Sequence, residues 1–180
     1  MTSPQPTPST TSSTTTSTST TMTTASSTPT PDPNRPGDPA TAALFDAVAT
    51  EHGVIYGYGV VSAHSTPDDN ALVADAMAEH RERRERAIAM LTARSAAVPV
   101  PAVGYQLPLE VSDPTQAAQL AVRMEEDASV AWRAVLEQAT TSEDRTFAVT
   151  ALTGCAVLAA RWSQVLGAAP VTLAFPGGTE

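Results

Sequence analysis

The chain has 180 residues, a formal net charge of −9, ten Arg with no Lys, and a single Cys. The acidic balance argues against a nucleic-acid partner, because phosphates require a positively charged face. One Cys excludes an internal disulfide and a zinc site built from several Cys. No apolar run approaches the roughly 20 residues of a membrane span, and no charged-then-apolar signal peptide opens the chain. We therefore expect a cytoplasmic protein with no membrane partner.

Residues 1–37 are rich in Ser, Thr and Pro, and the stretch Thr2–Pro31 contains almost nothing else. Such a segment cannot bury enough apolar surface to offset the entropy lost on ordering, and we predict a disordered tail. The remaining residues, 38–180, are enough for one domain with a proper core and too few for two ordinary ones.

Four helices are predicted near residues 40–63, 67–95, 114–139 and 143–166. Asp38-Pro39 and Asp113-Pro114 each place an N-cap residue before a Pro at the first helical position. Apolar residues recur at intervals of three and four along all four segments, as in amphipathic helices. The short piece Val171–Phe175 is the single strand-like run.

The lengths of the connections favour one topology. About three residues join the first helix to the second and the third to the fourth, so each pair forms an antiparallel hairpin. The link Ser95–Asp113 contains three Pro and is long enough to run the full length of a bundle. We predict an all-α, ferritin-like four-helix bundle with one long crossover between its second and third helices.

Four ionisable residues interrupt the predicted apolar stripes near the middle of each helix: Glu51, His80, Glu125 and Arg161. Mid-helix inward positions on all four helices meet in one layer of such a bundle. We therefore predict a buried polar network of these four residues.

Ferritin-like di-metal proteins hold their ions in this layer, with one Glu on each of two helices and Glu-x-x-His on the other two. Here Met77 stands three residues before His80, and Leu158 stands three before Arg161. Two carboxylates facing one Arg and one His can balance each other without metal. We expect no metal and no other cofactor. One alternative is a single-metal site made by Glu51, His80 and Glu125, and another is a small-ligand pocket.

Three segments stand out: 51–59, which reads EHGVIYGYG, 80–84, which reads HRERR, and the Ala160-Arg161-Trp162 region. They resemble the actinobacterial ferritin-like domain family of unknown function, DUF4439. The closing segment 174–178, AFPGG, is similar too. The resemblance covers roughly residues 40–180 and implies a ferritin-like fold without an assigned activity.

No residue pattern marks a catalytic site. Cys155 lies among small apolar residues, which is typical of a buried side chain, and neither Trp132 nor Trp162 belongs to a ligand-binding motif. We expect a non-catalytic structural or interaction module that forms a homodimer. The alternatives are a protein that binds a metal, or a small ligand, through Glu51, His80 and Glu125.

Overall fold

The computed structural model describes residues 1–2 and 32–178, and Pro31–Glu180 forms one compact unit. This unit contains four long helices, α1 (Pro39–His64), α2 (Asn70–Ala93), α3 (Pro114–Gln138) and α4 (Ser142–Val165). A single 3₁₀ turn, Pro67–Asp69, precedes α2. The described residues contain no strand, so the all-α prediction is confirmed and the helix bounds agree within a few residues.

Side-chain caps fix the starts of three helices. The Asp38 carboxylate accepts a hydrogen bond from the Thr41 amide at 2.9 Å, and the Asp113 carboxylate accepts one from the Gln116 amide at 2.8 Å. The Thr141 hydroxyl accepts one from the Asp144 amide and opens α4. Each cap satisfies an amide that has no partner within its own helix, so the local sequence sets the register of the helix that follows.

Pairs of contacting residues give the direction of each helix. Trp132 Nε1 contacts Glu51, while Tyr58 contacts Glu125, so α3 descends as α1 rises. The ring of Trp132 packs edge-on against Phe147 with 5.1 Å between centroids, because α4 starts where α3 ends. Arg94, just past the end of α2, pairs with Asp144 at the start of α4.

It follows that α2 and α3 run parallel to each other and antiparallel to α1 and α4. The segment between them, residues 94–113, therefore has to travel the length of the bundle. Its apolar side chains Leu107, Leu109 and Val111 pack against the core, and the Tyr105 ring lies 5.3 Å from that of Tyr56 on α1. Two hairpins joined by one long crossover is the topology that the connection lengths predict.

Two expectations are changed by the structure. The strand-like piece Val171–Phe175 has no ladder partner and belongs to an irregular C-terminal segment. Most of the predicted tail lies outside the described residues. Arg35, which the prediction placed in that tail, donates three hydrogen bonds to Asp46 on α1.

The expectation that no segment is apolar enough to span a membrane does not hold for α4. Among the described helices, α4 alone is long and apolar enough to cross one, judged by length and composition. Its charged residues lie near its two ends and its centre is rich in Ala, Val and Thr. Phe147 of α4 packs against Trp132 of α3, and Leu158 and Trp162 of α4 belong to the buried core of the bundle.

Candidate functional site

Glu51, His80 and Glu125 meet in the middle of the bundle, and each is fully shielded from solvent. The His80 ring lies between the two carboxylates. Its Nδ1 is 2.6 Å from Glu51 Oε2, and its Nε2 is 2.9 Å from Glu125 Oε1. With Arg83 these residues form what we call the central polar cluster: Glu51, His80, Arg83 and Glu125.

The two carboxylates determine the charge of His80. Burial alone would lower the pKa of its imidazole, but hydrogen bonds to Glu125 and Glu51 outweigh burial and raise that pKa to about 9. His80 is therefore an imidazolium at neutral pH, and each ring nitrogen donates to one carboxylate. Burial likewise acts to raise the pKa of Glu51, yet His80 and Arg83 hold it below its ordinary value.

Arg83 supplies the second positive charge. Its Nη1 lies 3.4 Å from Glu51 Oε1 and 3.2 Å from His80 Nδ1, and it donates to Cys155 Sγ at 3.1 Å. Two buried carboxylates thus face two buried cations, which makes the cluster electrically neutral. A neutral set is what a low-dielectric interior tolerates, because an uncompensated buried charge is costly.

A glycine on α4 makes room for the Arg83 guanidinium. A Cβ on Gly154 would lie 2.8 Å from Arg83 Nη2, closer than real contacts allow. The same Nη2 reaches Glu79 Oε2 at 3.7 Å, at the edge of the bundle where Glu79 is about half exposed. Arg83 therefore fills the gap between α2 and α4, with its guanidinium turned toward Glu51.

Three aromatic side chains extend the hydrogen bonding around the two carboxylates. Trp132 Nε1 donates to Glu51 Oε1 at 2.7 Å, and the Tyr58 hydroxyl donates to Glu125 Oε1 at 2.5 Å. The same hydroxyl accepts from Trp162 Nε1 at 2.9 Å. Burial, followed by the charge of Glu125, raises the pKa of Tyr58 well above its usual range, so the phenol keeps its proton. Among the described residues, Glu125 Oε2 finds no partner.

Cys155 is a buried thiol at the α4 side of the cluster. Burial raises its pKa well above the ordinary value, and the neighbouring Glu125 and Glu51 act in the same direction against Arg83. A protonated, enclosed thiol is a poor nucleophile. Its prediction as a small buried residue is confirmed.

One of the four predicted network residues lies elsewhere. Arg161 is exposed, and its nearest carboxylate is Asp75 Oδ2 at 3.6 Å on the bundle surface. On α4 the inward stripe is Ala151, Cys155, Leu158 and Trp162, so Trp162 rather than Arg161 follows Leu158 into the core. The structure thus keeps Glu51, His80 and Glu125 together, and Arg83 supplies the cation that the sequence assigned to Arg161.

The sequence held a signal for Arg83. Ala76, His80, Arg83, Ala87 and Leu91 repeat at intervals of four, three, four and four, and all five are buried. Val73, Met77 and Arg84 follow a similar helical spacing on α2; of these Val73 is buried, whereas Arg84 pairs with Glu85 at the surface. Trp132 and Trp162 are both fully buried. No sequence pattern indicates the hydrogen bonds that the Trp132 and Trp162 indole nitrogens donate to Glu51 and Tyr58.

The profile of one protein family, described as a domain of unknown function (DUF4439), matches residues 43–180 of the chain. The chain is also similar to a solved structure, that of the conserved hypothetical protein rv2844 from Mycobacterium tuberculosis. The two are 57% identical, the match covers 73% of this chain and 99% of that one, and the TM-score is 0.71. No functionally curated protein matches significantly. This chain belongs to the DUF4439 family.

Proposed function

We propose that this protein is a non-catalytic, ferritin-like helical module whose central layer is held by internal charges instead of metal ions. The observation that carries the proposal is the position of His80. Both of its ring nitrogens are used by carboxylates, one from α1 and one from α3. An imidazolium has no lone pair to offer a metal, so the residue that would be a ligand acts here as a cation.

The rest of the layer supports the same conclusion. A di-metal site needs several carboxylates to neutralise its ions, and this layer has two. The position three residues before His80 is Met77, and Leu158 is an apolar core residue on α4. Within the described part of the chain, no group of three or more His, Cys, Asp or Glu is arranged to hold a metal. The residues present therefore do not fit a di-metal centre.

The central polar cluster and the side chains hydrogen-bonded to it tie together all four helices. Glu51 and Tyr58 come from α1, His80 and Arg83 from α2, Glu125 and Trp132 from α3, and Cys155 and Trp162 from α4. A buried charge network of this kind fixes one relative arrangement of helices, because any slip separates buried charges. We infer a structural or interaction role, in which the cluster sets the register of the bundle and the bundle surface meets its partner.

Metal analysis tests this proposal. The full chain is purified without chelators, its metal content is measured by mass spectrometry, and melting is followed with and without added Fe²⁺ or Zn²⁺. We expect no stoichiometric metal and an unchanged melting temperature. Stoichiometric metal that is lost in Glu51→Gln but kept in Asp46→Asn, a surface control on the same helix, would overturn the proposal in favour of the single-metal alternative.

A further inference from the structure

A cavity of about 520 Å³ lies on the side of the bundle away from Arg83, between α3, α4 and the segment after α4. We call residues 167–178 the C-terminal strap. The cavity wall is mostly apolar and comes from Leu152, Ala156, Val157, Val171 and Leu173. Its volume falls within the roughly 300–1,000 Å³ of small-molecule sites.

The strap is fixed at both ends, so the cavity is built into the fold. Gly167 ends α4 with φ +63°, a conformation that favours glycine. Gly177 has φ +72°, and a Cβ there would lie 2.5 Å from the Ser129 carbonyl oxygen on α3. Only glycine permits so close an approach. Between these two points the strap stands off the helices, and its Leu173 and Phe175 are 58% and 64% exposed.

The cavity has one basic residue in its lining. Arg161 borders it and forms a long, solvent-exposed ion pair with the Asp75 carboxylate of α2, 3.6 Å away. The single acidic residue in the lining is Glu126 on α3. Since Trp132 packs opposite Phe147 on antiparallel helices, Glu126 lies at the level of Thr153, roughly 12 Å along the axis from Arg161. The cavity thus has a basic end, an apolar middle and an acidic side chain at a distance.

We propose that this cavity binds a free, single-chain aliphatic carboxylate, with the alkyl chain against the α4 wall and the carboxylate on Arg161. An apolar wall under a strap suits a chain of methylenes. The planar guanidinium matches a carboxylate in a two-point geometry. A single negative charge suits this cavity better than a dianionic phosphate, because Arg161 already pairs with the exposed Asp75 and Glu126 also borders the cavity. The site does not involve the central polar cluster.

A fluorescent fatty acid provides the first test. Titration of the full chain with 11-(dansylamino)undecanoic acid is expected to give saturable binding below its micellar range. Dodecanoate should displace the probe at least about tenfold better than dodecanol, because only the acid forms charge-assisted hydrogen bonds. Absence of saturable binding, or equal displacement by acid and alcohol, would overturn the assignment.

Variants locate the site. Arg161→Gln should weaken binding about tenfold, and Ala156→Phe should abolish it by filling the cavity. Val149→Phe is the matched control, because Val149 is a 47% exposed residue of α4 outside the cavity. All three should melt near the parent temperature. Probe binding that persists in a folded Ala156→Phe variant would refute the site. A dimer that Ala156→Phe disrupts, in a protein that binds no probe, would refute it as well.

A further experiment distinguishes a free acid from a membrane lipid as the ligand. Vesicles of phosphatidylglycerol should neither pull the chain down nor displace the probe. Capture by the vesicles that depends on Arg161 would contradict a free single-chain ligand.

Discussion

Replacing Arg83 with Met tests the charge balance of the central polar cluster. Met is unbranched and apolar, so it retains much of the packing of the Arg stem while removing the charge. Arg83 is only 7% exposed and lies 3.4 Å from a carboxylate oxygen of Glu51, which is completely buried. Without Arg83 the cluster holds two carboxylates and one imidazolium, and its net charge falls from zero to minus one.

Removing one partner of a buried ion pair lowers the free energy of unfolding by about 3–5 kcal/mol. For a domain of this size, that corresponds to a fall in melting temperature of roughly 10 °C. The matched control is Arg161→Met. Arg161 is 43% exposed and 3.6 Å from an exposed Asp75, and the loss of such a surface pair costs about 0.5 kcal/mol or less.

A double variant separates stranded charge from lost packing. Glu51→Gln keeps oxygen and nitrogen atoms near Trp132 and His80 and removes the negative charge that Arg83 balances. Arg83→Met combined with Glu51→Gln should therefore cost less than the sum of the two single changes, measured by urea unfolding of all four proteins. The reasoning would be refuted if Arg83→Met stayed within about 1 kcal/mol of the parent, or if Arg161→Met cost as much as Arg83→Met.

Three further predictions concern neighbours of the cluster. Tyr58→Phe removes the donor to Glu125 and the acceptor for Trp162, and should cost about 2–4 kcal/mol in urea unfolding; a neutral result would show that the short bond to Glu125 does not form. Gly154→Ala pushes against Arg83 and should cost about 1–3 kcal/mol, whereas Gly59→Ala, with open space around it, should not destabilise through a clash. The Cys155 thiol should react with Ellman's reagent at pH 8 only after denaturation, and rapid labelling of the native chain would contradict its burial.

Local chemistry explains why the fold could be predicted from the sequence. Asp38 and Asp113 are N-cap residues that act within one turn, so their effect can be predicted without knowledge of the tertiary structure. The length of the link Ser95–Asp113, compared with the length of a helix, is a matter of chain geometry. These two kinds of information are enough for the helices, the hairpins and the crossover.

The position of the second buried cation could not be predicted in the same way. Residues 83 and 84 point about 100° apart on α2, and the apolar pattern of that helix suits either as an inward residue. The choice depends on a residue far away in sequence, since Gly154 on α4 leaves space for a guanidinium beside Cys155. On α4 the inward position is likewise occupied by Trp162, and the exposed Arg161 is its neighbour in sequence.

The hydrogen bonds of the aromatic residues are also a tertiary property. Trp132 is 81 residues from Glu51, and Trp162 is 104 residues from Tyr58. A Trp in a helix has the same sequence pattern whether its indole nitrogen meets a carboxylate or solvent. Only the packed bundle places these donors beside the cluster.

The protonation of His80 tests the account most directly. His80 is an imidazolium that donates from both nitrogens, with a pKa of about 9 in the folded chain and an ordinary 6.5 in the unfolded chain. A raised folded-state pKa means that the stabilisation is complete below about pH 6.5 and is lost as the pH rises through 9. The shift corresponds to about 3 kcal/mol.

Nitrogen-15 NMR of labelled histidine provides the measurement, with His80→Gln to assign the resonance among the three His of the chain. We predict a His80 ring that carries protons on both nitrogens at pH 7.5 and titrates near pH 9. Over the same range, the unfolding free energy of the parent should fall relative to that of His80→Gln. A His80 resonance that shows a neutral ring at pH 7.5 and a midpoint at or below 6.5 would contradict the central claim.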